Sequence, residues 1–131
     1  MIILYWLIPW GLASSWILLV FGVGLMMLGI VIAVGAESQF RRSRTTVDHL
    51  GIPTKLVTDG WFRYSRNPMY LSFALLLMGA WLALGSVAPL FGVVAYLFLV
   101  ERWYIAPEEK RLVATFGKQY ESYRMRARRW L

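Results

Sequence analysis

The sequence predicts an all-α integral membrane protein: a helical bundle with a charge-free helical hairpin, a polar connecting loop and a C-terminal amphipathic helix. Three observations carry this. Of 131 residues, 59% are hydrophobic and only 16% charged, far from an average soluble composition. Every charge falls within 37–66 or 101–129, so that 1–36 and 67–100 have none. Each uncharged run exceeds the ~20 apolar residues that cross a bilayer. Finally, the tail has an apolar stripe at helical spacing.

Residues 1–36 would make a helix of about 54 Å, too long for one untilted crossing of a ~30 Å hydrocarbon core. Pro9, Gly11, Ser14 and Ser15 are the available interruption, which predicts a short apolar lead segment and then a span from about Ser15 to Ala36. A cleaved signal peptide is not expected, because the first fifteen residues have no basic region and the apolar character continues beyond any cleavage site. In the second run, "LGSVAP" (84–89) supplies a turn, giving a hairpin over 68–105 with helices of about 68–85 and 88–105. A hairpin returns to the side it left. Loop 37–66 has six Lys/Arg, the tail has eight and the "LGSVAP" turn has none, so loop and tail should share the cytoplasmic side.

The net charge of +7 would suit a nucleic acid, but basic residues beside membrane spans are accounted for by orientation and anionic headgroups, and no nucleic-acid partner is expected. With no cysteine, disulfides, thiolate catalysis and zinc–thiolate sites are excluded. The single His49 cannot build a histidine metal site, and no metal is expected.

In the tail, Pro107 suits the first turn of a helix over 106–131, and Glu108 and Glu109 complement the positive end of its dipole. Glu109, Leu112, Phe116, Tyr120 and Tyr123 follow at steps of three and four, so a carboxylate heads the apolar stripe. Lys110, Arg111, Lys118, Glu121, Arg124 and Arg128 take the other side. The connecting loop, taken as 37–67, contains Gly51, Pro53 and Gly60 and is followed by Pro68, so its stretch from Thr45 onward should be mostly irregular, with at most one turn of helix. Connections above ~15 residues are uncommon without a function or disorder. Leu56, Val57, Trp61, Phe62 and Tyr64 argue against disorder here.

"TTVDHLGIPTKLVTDGWFRYSRNPMYLS", the uncharged hairpin, and "PEEKRLVATFGKQYESYRMRARRWL" resemble, in that order, the isoprenylcysteine carboxyl methyltransferase family of bacterial type, related to phospholipid N-methyltransferases. The resemblance covers about 45–131. It implies one small membrane methyltransferase domain using S-adenosyl-L-methionine, with a cytosolic cofactor pocket made by the loop, an Arg-His-Pro-x-Tyr motif and a Glu-Glu pair. Carried over by position, the cofactor-binding residues are Lys55, Leu56, Val57, Gly60, Trp61, Phe62, Arg66, Asn67, Pro68, Tyr70, Glu108 and Glu109, with Arg66, Asn67, Tyr70 and Glu109 as the catalytic set. Asn67 stands where many members have histidine, although bacterial relatives often read as this chain does, and the N-terminal part is shorter than usual by up to one helix. A bacterial inner membrane, with the site facing the cytoplasm, is the implied location.

The chemistry of those residues agrees. S-adenosylmethionine carries an ammonium, a sulfonium and a carboxylate; Glu108 and Glu109 answer the cations, and Arg66 and Asn67 the carboxylate. Leu56, Val57, Trp61 and Phe62 are suited to enclosing adenine. Methyl transfer is an in-line displacement, to which a protein contributes alignment and exclusion of water. A carboxylate acceptor is ionised at neutral pH and needs no base, whereas an amine or thiol would need Glu108, Glu109, Tyr70 or Tyr120. The expected acceptor is hydrophobic or lipid-like, with a carboxylate slightly favoured. A sterol or enone reductase-like NADPH enzyme and a non-enzymatic membrane adaptor are the competing readings.

Overall fold

A computed structural model describes residues 16–43 and 54–131. The interruption expected at Pro9 to Ser15 and the loop residues 44–53 lie outside the described residues. Among the described residues the architecture is all-α, with one isolated bridge between Ser65 and Arg128 as its extended pairing.

Helix α1 (Trp16–Arg42) has 27 residues, about 40 Å at 1.5 Å per residue. It therefore continues past Ala36, where the sequence predicts its end. Nothing in "ESQFRR" breaks a helix; Glu37 and Arg41 pair at 2.6 Å one turn apart, and Arg41 and Arg42 complement the negative end of the dipole. A four-residue helix α2 (Trp61–Tyr64) leads into α3 (Pro68–Leu84), whose first residue is a proline that needs no N–H partner there.

Among the described residues the contact between α1 and α3 is the most extensive. Small residues make it possible. A Cβ on Gly22 would lie 2.5 Å from the Gly79 carbonyl oxygen, and one on Gly29 would lie 2.8 Å from that of Ser72. The backbones are in van der Waals contact, the packing on which helices in lipid depend. Trp16, Phe21, Met27 and Val34 on α1 stay exposed, as lipid-facing side chains do.

Helix α3 ends at Gly85, left-handed at φ 60°, and α4 (Ala88–Val100) begins with Pro89 in its first turn. Both features come from "LGSVAP". The sequence suggests a fresh helix starting near Pro107, but the chain stays helical without a break from Ala88 to Phe116. A π-helical turn (Glu101–Ile105) lies just before α5 (Ala106–Phe116), and the Ala106 N–H bonds back to Glu101. Pro107 would clash with a carbonyl one turn earlier in a regular helix; the wide turn precedes it where that clash would arise.

Nor is the tail a single helix. Gly117, at φ 55°, separates α5 from α6 (Lys118–Arg126), a conformation that residues with a Cβ rarely adopt. Tyr120, Tyr123 and Ala127 still form a buried cluster with Leu56, Phe62, Leu112 and Phe116, so the apolar stripe bends around the break and covers the loop.

Among the described residues two helices, Trp16–Arg42 and Ala88–Phe116, are long and apolar enough to cross a membrane, and Pro68–Leu84 is a shorter apolar helix between them. The protein is membrane-associated.

Candidate active site

The loop and the tail meet at the polar end of the helices. Gln39, near the end of α1, grips the loop from both sides: its Nε2 donates to the Asp59 carbonyl at 2.5 Å, and its Oε1 accepts from the Trp61 N–H at 2.9 Å. Between these contacts Gly60 takes φ 58°. The Tyr123 hydroxyl donates to the Phe62 carbonyl at 2.6 Å, tying α6 to the same segment.

A cavity of about 60 Å³ lies between loop and tail, lined by Phe40, Lys55, Leu56, Val57, Phe62, Arg66, Asn67, Glu108, Glu109, Leu112, Tyr120 and Tyr123. Eight of the twelve residues expected to bind a cofactor are therefore brought together. Gly60 and Trp61 face elsewhere, lining a separate cavity with Gly35, Ser38, Gln39, Arg42 and Tyr64. Gly35 leaves room for the Trp61 indole rather than for another helix. Pro68 is buried at the start of α3. Tyr70 stands behind the cavity, its hydroxyl donating to Glu108 Oε2 at a long 3.4 Å.

The charged groups divide unevenly. Glu109 is buried, and the Arg129 fork engages both its oxygens, Nε to Oε1 at 3.1 Å and Nη2 to Oε2 at 2.7 Å. Arg129 Nη1 reaches Glu101 Oε1 at 2.5 Å. These hydrogen bonds, to Glu109 first, push the Arg129 pKa up. Arg66, with its side chain 10% exposed, places Nη1 3.4 Å from Glu109 Oε1. That is an ion-pair contact without hydrogen-bond geometry: among the described residues neither Nε nor Nη1 of Arg66 has an acceptor. Two buried donors on a guanidinium are costly to leave unmade.

Asn67 is already engaged, its Nδ2 donating to the Arg129 carbonyl at 2.9 Å and its N–H to Ser65 Oγ at 3.1 Å. The Arg66 N–H donates to the Arg128 carbonyl at 2.9 Å. The C-terminal segment is thus laid along Ser65 to Asn67. Burial, and then the nearby Glu109 charge, push the Tyr120 hydroxyl pKa up, against a smaller opposing effect of the Arg66 guanidinium, from which the hydroxyl accepts a hydrogen bond.

Sequence reasoning missed Glu101, Phe40 and Arg129. Arg129 sits in a run of basic residues that looks like solvated charge, and Glu101 looks like the first charge outside the membrane. The usable signal was stoichiometric: carboxylates at the head of an apolar stripe need a cation, and only the tail and loop hold any.

No solved structure matches the chain. Among curated proteins, it is 39% identical over 84 residues to a protein-S-isoprenylcysteine O-methyltransferase of Schizosaccharomyces pombe, covering 63% of this chain and 33% of that one. It is 32% identical over 120 residues to protein-S-isoprenylcysteine O-methyltransferase B of Arabidopsis thaliana, covering 88% of this chain and 60% of that one. An uncharacterised Haemophilus influenzae protein is 38% identical over 63 residues, which is 48% of this chain and all of that one. The chain thus spans only a third of the yeast enzyme's length and 60% of the Arabidopsis one. The phospholipid methyltransferase family profile matches residues 17–119, and the chain, most of whose length that range covers, belongs to this family.

Proposed function

We propose that the protein is an S-adenosylmethionine-dependent methyltransferase acting on a hydrophobic or lipid-like acceptor. The observation that carries this is Arg66, buried with Nε and Nη1 lacking acceptors, in a cavity it shares with Glu108. A carboxylate answers the two donors and an ammonium answers Glu108, and an amino-acid end supplies both. Phe40, Leu56, Val57, Phe62 and Leu112 are the apolar neighbours suited to the adenine. The donor set fits the cofactor; the space fits only after widening. At about 60 Å³ the cavity is well below the ~300–1,000 Å³ of ligand pockets, so its walls must part for binding.

When bound, the cofactor supplies an electrophilic methyl group, and the protein's residues hold and shield. Arg66 and Glu108 orient the amino-acid end, while Tyr70 supports Glu108 through its hydroxyl. Asn67 and Glu109 act one step back, fixing the C-terminal segment through its carbonyl and guanidinium. A carboxylate acceptor fits this set best, because it needs no base, and with Glu109 held by Arg129 and Glu108 assigned to the cofactor ammonium neither carboxylate is left for that task. A second cavity, of about 610 Å³ at the π-helical turn, combines exposed Phe98 and Trp103 with Arg102 and Lys110. An anionic amphiphile entering from the bilayer meets an apolar and a cationic surface there. A bacterial inner membrane, with loop and tail on the cytoplasmic side, accords with the basic residues of both stretches.

Isothermal titration of the purified protein with S-adenosylhomocysteine and with NADPH is the test. The expected result is binding of the first alone, weakened roughly 10- to 150-fold in Glu108→Gln, as for a lost charged hydrogen bond. NADPH binding instead would move the protein to reductase chemistry, and binding of neither would leave a non-enzymatic membrane protein.

A further inference from the structure

Two guanidinium groups compete for one carboxylate in this site. Arg129 holds both Glu109 oxygens, at 3.1 and 2.7 Å, while Arg66 Nη1 stands 3.4 Å from Oε1 without a hydrogen bond. A bidentate fork is the strongest pairing open to a carboxylate, so Arg129 wins. Arg66 Nε and Nη1 are left without acceptors.

The fold supports this outcome from three directions. The π-helical turn is the first. Eight residues of regular α-helix turn through about 800°, which would leave Glu101 and Glu109 about 80° apart; one extra residue absorbed by a wide turn reduces that to about 20°. Both carboxylates then face the same guanidinium, whose Nη1 bonds Glu101 at 2.5 Å. Second, the Arg129 carbonyl accepts from Asn67 Nδ2 at 2.9 Å, and the Arg128 carbonyl accepts from the Arg66 N–H at 2.9 Å. These fix the backbone from which the Arg129 side chain reaches. Third, Glu109 is 8% exposed, so replacing Arg129 by water at its oxygens is costly.

We propose that Arg129 is a positioning residue for cofactor recognition: by occupying Glu109 it keeps the Arg66 donors available for the carboxylate of the incoming ligand. The inference rests on the proposed cofactor chemistry and adds the device that keeps its anion subsite open. Without Arg129, the buried Glu109 has Arg66 as its nearest cation. A movement of well under 1 Å converts the 3.4 Å contact into a hydrogen-bonded pair. The site then recognises an adenosyl group as before and fails at the amino-acid carboxylate.

The experiment compares S-adenosylhomocysteine with its decarboxylated amine by titration. Arg129→Met should weaken the first by roughly tenfold or more and the second by about threefold or less, as loss of one charge-assisted contact requires. Adding Glu109→Gln to Arg129→Met should recover most of the loss, since a neutral amide does not capture Arg66. Arg129→Lys should fall between, because an ammonium cannot engage both oxygens in the same way. Thermal unfolding of each variant separates folding from binding. An equal loss for both ligands, or no recovery in the double variant, makes Arg129 merely structural and overturns the proposal. A wild-type protein indifferent to the ligand carboxylate overturns it as well. If the wild type binds neither ligand, the cofactor reading itself falls; if it binds both and Arg129→Met is unchanged, only the role of Arg129 falls.

Discussion

The apolar and polar ends of this molecule are held together by different physics. Helices α1 and α3 meet through backbone proximity at Gly22, Gly29, Ser72 and Gly79. The loop and tail meet through directed bonds: Gln39 to Asp59 and Trp61, Tyr123 to Phe62, Asn67 to Arg129, and Arg129 to two glutamates. In lipid there is little hydrophobic gain in bringing two helices together, so shape must do it. At the polar end water competes for every donor, so a bond persists where it is buried or bidentate. The first kind of contact fails when something is added. The second fails when something is removed.

The largest effect should therefore come from adding atoms at the apolar end. In Gly79→Val the new side chain meets the Gly22 carbonyl and the Met26 side chain and backbone. Backbone cannot yield as a side chain can, and overpacking costs about 1–3 kcal/mol or more. Loss of the folded form in detergent, read as a fall in thermal midpoint of several degrees or failure to purify, is the expected result. Gly24→Val is the control, because a Cβ there meets nothing within 4 Å. Similar behaviour of the two variants would show that α1 and α3 do not rely on close approach.

How much of this was legible in the sequence follows the same division. The absence of charge from 1–36 and 67–100, and the turn in "LGSVAP", are one-dimensional signals that report membrane helices directly. Local chemistry also marked the cavity: Leu56, Val57, Phe62, Arg66 and Glu108 line it. What could not be seen was which cation goes to which anion. Arg66 and Arg129 are 63 positions apart, and their choice of partner depends on a π-helical turn and on the break at Gly117. Both features are deviations from the period that sequence reading assumes. Asn67 shows the consequence, since an amide suited to a ligand carboxylate turns out to donate to a backbone carbonyl.

Removing a donor at the polar end should cost less than overpacking, and Asn67 is the place to measure it. Asn67→Asp replaces the Nδ2 donor with an oxygen facing the Arg129 carbonyl, which costs about 1–3 kcal/mol for a buried unsatisfied group. Asn67→His retains a donor and should lose less. Thermal unfolding, with cofactor titration alongside, checks the order. If Asn67→Asp is as stable as the wild type yet loses affinity, the residue acts on the ligand and not on the C-terminal segment.

The smallest effect is expected from an ion pair with better geometry than position. Arg41 Nη2 lies 2.6 Å from Glu37 Oε1, as close as the Arg129 to Glu109 contact at 2.7 Å, but the two side chains are 78% and 53% exposed. Solvent screens the pair and both side chains must be immobilised to make it, so pairs one helical turn apart contribute only about 0.3–0.5 kcal/mol. Glu37→Gln should therefore move the thermal midpoint by about 2 °C or less, and raising the salt concentration should erase even that. Arg129→Met, breaking a contact of nearly equal length around a buried carboxylate, should shift it several times further. If the two substitutions proved equally mild, burial would not distinguish these pairs, and the contrast between the exposed end of α1 and the closed site would rest on distance alone.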